Sequence, residues 1–167
     1  AMANITLGGN PATTVGNLPE VGTKTPDFKL TNTELTDKSL SDFSGSRLVL
    51  NIFPSVDTGV CAQSIRTFNE KASSLDNTKV LCISKDLPFA IARFCGAEGL
   101  DDVVNLSDYK TGEFGETYGV TFKDSVFETL LSRAVVVLDT DGTILHTEQV
   151  SETGEEPNYE AALNALN

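Results

Sequence analysis

Basic residues are scarce in this chain. Twelve Lys and Arg stand against 24 Asp and Glu, a formal net charge of -12. Binding a phosphate backbone needs clustered positive charge, so nucleic acid is excluded as a partner class. Long apolar runs are also missing. None approaches the ~20 residues of a membrane-spanning helix, and no membrane partner is expected. The opening Ala1-Met-Ala-Asn-Ile-Thr6 has no basic stretch followed by an apolar one, so no secretory signal is expected, and Ala1 ahead of Met2 reads as a cloning remnant. Cysteine is sparse and odd in number: Cys61, Cys82 and Cys95. Three cysteines do not make the disulfide framework of a secreted domain. They fit a cytoplasmic protein whose thiols are buried, catalytic or both. No internal repeat, low-complexity tract or dividing linker interrupts the 167 residues, which read as a single domain spanning 1–167 with a real hydrophobic core.

What is present is a series of short apolar runs separated by turn residues. Ile5-Thr-Leu7 and Thr13-Thr-Val15 flank Gly8-Gly-Asn-Pro11, the pattern of an N-terminal β-hairpin. Residues 19–26 read as a polar extended connector, Phe28-Lys-Leu30 as a short strand, and Leu40, Phe43 and Gly45 as a brief helical turn. Leu48–Phe53 is a buried strand ended by Pro54. Over residues 60–75, Cys61, Ile65, Phe68, Ala72 and Leu75 recur at spacings of four, three, four and three, one face of an α-helix. Lys79–Ser84 is a second buried strand. Asp86 and Pro88 then open a helix with Ile91, Phe94 and Cys95 inside, stopped by Gly96 and Gly99. Val103–Leu106 is a short strand and Phe114–Tyr118 a short helix. Ala134–Leu138 turns through Asp139-Thr-Asp-Gly142 into Thr143–Thr147, a hairpin. Tyr159, Ala162, Leu163 and Leu166 form a last amphipathic helix. This order is that of an α/β, thioredoxin-like fold: a central mixed sheet flanked by helices.

Cys61 falls in the first turn of the 60–75 helix, near unpaired backbone N–H groups and the positive end of the helix dipole. Such a position favours a reactive thiol. An ordinary thiol has a pKa of ~8.5, and bringing one near 6 takes roughly 3–4 kcal/mol. A helix N-terminus supplies ~0.3–1 kcal/mol, or up to ~2 in a partly buried site, so a cation must complete the site. Read alone, Cys61 could equally be a small apolar residue heading the buried stripe. Thr58 suits a helix cap, and Pro54 could do no more than end a strand. Arg47, Arg66, Arg93 and Arg133 are all candidate cations that spacing cannot separate.

Pro54, Thr58 and Cys61 together match the Pro-x-x-x-Thr-x-x-Cys motif of peroxiredoxins. The longer string Asn51-Ile-Phe-Pro-Ser-Val-Asp-Thr-Gly-Val-Cys61 resembles the bacterial thiol peroxidase branch, the atypical two-cysteine peroxiredoxins. Leu87-Pro-Phe89, Arg93-Phe-Cys-Gly-Ala-Glu-Gly99 and Arg133-Ala-Val-Val-Val137 resemble it too, from Gly9-Asn-Pro11 to Tyr159-Glu-Ala-Ala-Leu163. The resemblance implies a thiol-dependent peroxidase with Cys61 as peroxidatic cysteine. Arg133 would activate the thiol and polarise the peroxide, Thr58 would hydrogen-bond sulfur and peroxide, and Pro54 would shield the site. Cys95 would be the resolving cysteine, giving an intrachain Cys61–Cys95 disulfide recycled by thioredoxin. The resemblance also implies a homodimer, no metal, haem or flavin, and a taste for organic hydroperoxides through an apolar groove, for which Phe53, Phe89, Phe94 and Phe127 are candidates.

Because a disulfide needs Cα atoms within ~7 Å, and the two cysteines lie on different expected helices, at least one helix should unwind locally, eased by Gly59, Gly96 and Gly99. Apart from the resemblance, Cys95 could be core filler beside Phe94. Cys82, mid-strand in an apolar run, is expected to be buried with a raised pKa. Two other readings of the thiols are a zinc site completed by His146 and a Cys–His hydrolase. The first lacks any short ligand spacing; the second has only His146, expected on an exposed strand position. A third reading is a non-catalytic thioredoxin-like binding module. The acidic stretch Glu152-Thr-Gly-Glu-Glu156 is expected to be a solvated loop.

Overall fold

A computed structural model of the chain describes residues 2–72, 75–100 and 102–167, with the side chain of Ala72 also left aside. Ala1 therefore lies outside the described residues. So do positions 73 and 74, through which the helix expected over 60–75 would have to continue.

The N-terminal hairpin pairs β1 (Asn4–Leu7) with β2 (Asn10–Thr13), antiparallel, in register Asn4 with Thr13 and Leu7 with Asn10. The expected second strand, Thr13–Val15, thus starts three residues early. The reason is the turn: Gly8 and Gly9 both have positive φ, 59° and 82°. Two such residues make a two-residue hairpin turn whose twist matches the flanking strands, so pairing resumes at Asn10.

Among the described residues, seven strands form the main sheet in the order β4-β3-β7-β6-β5-β8-β9. They are β3 (Lys29–Asn32), β4 (Asp37–Ser39), β5 (Arg47–Ile52), β6 (Thr78–Ser84), β7 (Val103–Ser107), β8 (Ala134–Leu138) and β9 (Ile144–Gln149). The centre, β7-β6-β5, is parallel, while β8 joins β5 antiparallel and β3 joins β7 antiparallel. The sheet is mixed, as expected. Strand β4 carries no apolar alternation and is set by its pairing with β3, which is why the sequence pattern missed it.

Alternation along β5 explains the two cores. Leu48, Leu50 and Ile52 point to one face, joined by Phe28, Phe43, Phe114 and Tyr118. Val49 and, just past the strand, Phe53 point to the other, where α1 (Gly59–Ala72), α2 (Pro88–Glu98) and α4 (Tyr159–Asn164) cover the sheet through Cys61, Ile65, Phe68, Ile91 and Ala162. A strand covered on both faces reads as a near-continuous apolar run, and Leu48–Phe53 does except at Asn51, which is buried and donates its amide to Ser64 Oγ at 3.2 Å. The short α3 (Glu113–Thr117) packs Phe114 on the first face. Helix α2 runs through Gly96 and stops at Gly99, whose φ of 65° gives a left-handed cap, so Gly96 is an interior helical residue rather than a stop. A glycine there weakens the helix by roughly 0.5–1 kcal/mol relative to alanine.

Candidate active site

The end of β5 and the start of α1 are joined by Phe53–Thr58, and this joint positions the thiol. Pro54 has no backbone N–H and stops the ladder after Ile52; Phe53 still donates its N–H to the Ile83 carbonyl, 3.1 Å away. A turn follows. Thr58 donates both its backbone N–H and its hydroxyl to the Ser55 carbonyl, at 3.3 and 3.1 Å. The Thr58 carbonyl then accepts from Ala62 N–H at 3.0 Å, the first turn of α1. Thr58 thus holds the position just before the helix, but its hydroxyl proton is directed at Ser55 rather than at the Cys61 sulfur. Cys61 sits in that first turn with no exposed surface.

The cation next to the sulfur is Arg133, immediately before β8. Its Nη2 donates to Cys61 Sγ at 3.2 Å and its Nε to the Thr153 carbonyl at 2.8 Å. The guanidinium is only 2% exposed, and its Nη1 is buried with no hydrogen-bond partner in the structure. A buried donor left unmet costs on the order of 1–3 kcal/mol, and its presence beside a thiol marks a place where an acceptor can be bound. The other arginines are used elsewhere: Arg47 donates to the Leu166 and Asp76 carbonyls, and Arg66 pairs with Glu98. Arg93 is exposed on α2.

Beside this pair opens a pocket of about 270 Å³. Leu7 and Gly8 line it from the hairpin, Pro54, Thr58, Gly59 and Val60 from the β5–α1 joint, and Phe127, Arg133, Thr153 and Gly154 from the other side. Of the four aromatic groove candidates, only Phe127 lines it. Phe53 is buried in the core and Phe94 packs against the same core, whereas Phe89 is 67% exposed at the start of α2.

Cys95 is half-buried on α2, packed against the apolar layer that also contains Cys61 and Cys82. None of the three cysteines is in a disulfide. Cys82 is buried as expected, and that burial pushes its thiol up to about 12, against a weaker opposing effect from the Asn51 amide. Such a thiol is inert at neutral pH. His146 departs from expectation: it is half-buried on β9, with Nε2 buried and unpartnered in the structure. The edge of the sheet there is covered more fully than a strand following a turn suggests.

The acidic stretch 152–156 is not a simple solvated loop. Thr153 is buried, donates its N–H and hydroxyl to the Thr6 carbonyl at 2.8 and 2.9 Å, and gives its own carbonyl to Arg133. Charge run alone cannot reveal this, because the contacts reach back ~145 residues in sequence. A second such residue is Asp86. Its Oδ1 accepts from Ser55 Oγ at 2.7 Å, and its Oδ2 from Val56 N–H at 2.9 Å and Ser84 Oγ at 2.7 Å. It ties the Cys61 joint to the segment that leads into the Cys95 helix.

Comparison with known proteins agrees with this geometry. The redoxin family model matches residues 20–163. A protein named thiol peroxidase from Corynebacterium glutamicum is 53% identical over 166 residues, covering 99% of this chain and 100% of that one. Another of the same name from Mycobacterium tuberculosis is 54% identical over 165 residues, 99% of each chain. Among solved structures, a peroxiredoxin-like protein from Aquifex aeolicus superposes with a TM-score of 0.92 at 33% identity, covering 99% of this chain and 96% of that one. A thiol peroxidase from Chromobacterium violaceum, at 22% identity and a TM-score of 0.91, shows the same fold. The chain belongs to the redoxin family, in its thiol peroxidase branch.

Proposed function

We propose that this thiol peroxidase reduces hydrogen peroxide and organic hydroperoxides through Cys61, with Cys95 as the resolving thiol. The observation that carries the reading is the buried contact of Arg133 Nη2 with Cys61 Sγ at 3.2 Å, with Nη1 of the same guanidinium unpartnered. The Cys61 sulfur, as thiolate, attacks the nearer peroxide oxygen. The O–O bond breaks, the sulfur becomes a sulfenic acid, and the departing oxygen takes a proton and leaves as water or alcohol. The free Nη1 N–H is the donor available to that peroxide, and charge developing on the leaving oxygen is met by a preorganised group. Pro54 and the apolar pocket wall keep water from the sulfur, and Phe127 is the aromatic contact for an organic substituent.

In the second step the Cys95 thiol attacks the sulfenic sulfur, expelling water and leaving a Cys61–Cys95 disulfide. Both cysteines belong to intact helices in the reduced form. The backbone must therefore yield, and the α2 end, with Gly96 inside and Gly99 at its cap, is the weaker of the two. A dithiol protein of the thioredoxin type returns the disulfide to two thiols. The working form is a homodimer in the cytoplasm. Among the described residues no helix is long and apolar enough to cross a membrane.

The test is peroxide consumption with a thioredoxin system by wild type, Cys61→Ser and Cys95→Ser, with peptide mapping under non-reducing conditions after one equivalent of peroxide. Loss of consumption in Cys61→Ser and a Cys61–Cys95 peptide in wild type are expected. Undiminished consumption by Cys61→Ser overturns the reading.

A further inference from the structure

We propose that Glu152 is a positioning residue for the peroxide step: its carboxylate clamps the hairpin turn to the loop that holds Arg133 against Cys61. The proposal rests on Cys61 as the peroxide-attacking thiol and extends the site to a residue that touches neither sulfur nor pocket.

The carboxylate gathers four donors. Oε1 accepts from Gly9 N–H at 2.7 Å and Thr6 Oγ1 at 3.0 Å, and Oε2 from Gly154 N–H at 2.5 Å and Gly8 N–H at 3.3 Å. Three of the four come from β1 and its turn, and the fourth from its own loop. The bonds from Gly154 and Gly9, outweighing partial desolvation, hold the carboxyl well below its ordinary range, at about 2. Around it the backbones of residues 6 and 151–153 run side by side: Thr6 N–H donates to Ser151 O and Thr153 N–H to Thr6 O, both at 2.8 Å. Both glycine amides of the turn reach the carboxylate because positive φ at Gly8 and Gly9 presents two successive N–H groups on one side.

What the clamp fixes is the adjacent carbonyl. Thr153 O is the acceptor that orients the Arg133 guanidinium through Nε, and that orientation leaves Nη2 on the sulfur and Nη1 free. The same clamp seats Leu7 and Gly8 as one wall of the pocket and Gly154 as another. Without the carboxylate, the two segments meet only through the bonds between the residue 6 and 151–153 backbones and those of the Thr6 and Thr153 hydroxyls, and none of these holds the Gly8-Gly9 turn. A misplacement of about 1 Å at a reacting centre costs up to ~100-fold in rate.

The experiment separates the two chemical steps by quench-flow and mass spectrometry of the reduced protein mixed with hydrogen peroxide or a bulky organic hydroperoxide. Glu152→Ala should lower the rate of sulfenic acid formation by on the order of tenfold or more. It should change the ratio of rates for the two peroxides and leave the rate of disulfide formation within about twofold. Glu152→Gln keeps one accepting oxygen and should fall between. Asp124→Ala is the control. Asp124 bolts β2 at the hairpin's other end through Thr13 N–H and Oγ1, at 2.8 and 2.7 Å, and does not reach the Arg133 loop. A merely structural role would make Glu152→Ala and Asp124→Ala alike and slow both steps equally, or neither. Should Glu152→Ala not fold, Thr6→Val, which removes one donor to the carboxylate, carries the same expectation at smaller size. Unchanged sulfenic acid formation in Glu152→Gln and Thr6→Val overturns the proposal. Peroxide consumption persisting in Cys61→Ser instead overturns the reading on which it rests.

Discussion

Replacing Arg133 by methionine isolates the charge from the packing. Met keeps most of the apolar stem and deletes the guanidinium, so the β8 backbone has no reason to move: the Arg133 carbonyl still accepts from Val150 N–H and from the Gln149 side chain, each at 3.0 Å. The loss in rate can be bounded in two ways. A unit charge ~4 Å from an anionic sulfur is worth about 4 kcal/mol at an effective dielectric of ~20. Removing one preorganised donor from a developing oxyanion costs about 2.7–4 kcal/mol, or ~100- to 1000-fold. Both effects come from one group here, so they overlap rather than add. Sulfenic acid formation should slow by ~100- to 1000-fold.

Stability should barely change. The Thr153 carbonyl loses a charge-assisted bond worth roughly 1.5–3 kcal/mol, but a buried cation with one unmet N–H is removed as well. The net should be within about 1 kcal/mol. Quench-flow trapping of the sulfenic acid gives the rate and urea unfolding gives the stability. Arg133→Lys should recover only part of the loss, because a point charge on a flexible stem cannot serve Thr153 O and Cys61 Sγ in one fixed fork. A folded Arg133→Met protein with a rate within fivefold of wild type would refute the reasoning. So would an equal loss in Arg47→Met, whose guanidinium is spent on carbonyls far from the sulfur.

Three further outcomes are expected. Cys82, with its thiol pushed up to about 12 by burial, should resist iodoacetamide at pH 8 in the folded protein and react only on unfolding, and Cys82→Ala should keep its peroxidase activity; rapid native labelling of Cys82 would contradict this. Asp86→Ala strands Val56 N–H and two hydroxyls in a partly buried site, which should cost the reduced protein at least about 2 kcal/mol in urea unfolding, and less once the Cys61–Cys95 bond has formed; equal losses in the two redox forms would show that the Asp86 contacts outlast the unwinding. In an acid titration, Glu152 has a folded pKa below its unfolded value, so its stabilisation is complete above pH ~4.5 and disappears as the pH falls through about 2; the amide shifts of Gly9 and Gly154 should titrate near 2, and a midpoint near 4.5 would mean the clamp is open in solution.

The parts of this protein that were legible in its sequence are those where one segment carries its own signal. The stripe Cys61, Ile65, Phe68 is a period, and it put the thiol at the head of a buried helical face, where it lies. Ala134–Leu138, and Leu48–Phe53 apart from Asn51, are apolar without alternation because both faces of the central sheet are covered. Where the signal is shared between segments, no single segment carries it. Strand β4 exists because β3 offers an edge, and β2 begins at Asn10 because two glycines upstream set the turn. The aromatic residues near the cysteines were all plausible groove walls, since hydrophobicity does not say whether a ring fills a core or lines a pocket. Only packing separates Phe127 from Phe53.

The acidic loop is the sharpest case, and it also shows how the site is built. On the sequence, residues 152–156 are a cluster of like charge, which ordinarily means water. In the fold, one member of that cluster faces two glycine amides whose conformation comes from a hairpin at the other end of the chain. A carboxylate is favourable there because the turn supplies aimed donors, and the turn stays put because the carboxylate accepts from both of its glycines. Neither half is informative alone. The thiol follows the same logic: a helix N-terminus offers at most ~2 kcal/mol toward an activated sulfur, and the remainder has to come from Arg133, 72 residues away. Arg133 in turn takes its aim from Thr153, and Thr153 is held by Thr6. Reactivity at Cys61 is thus set by a relay that starts in the least regular part of the chain, so substitutions far from the cysteine motif should tune the peroxide rate without unfolding the protein.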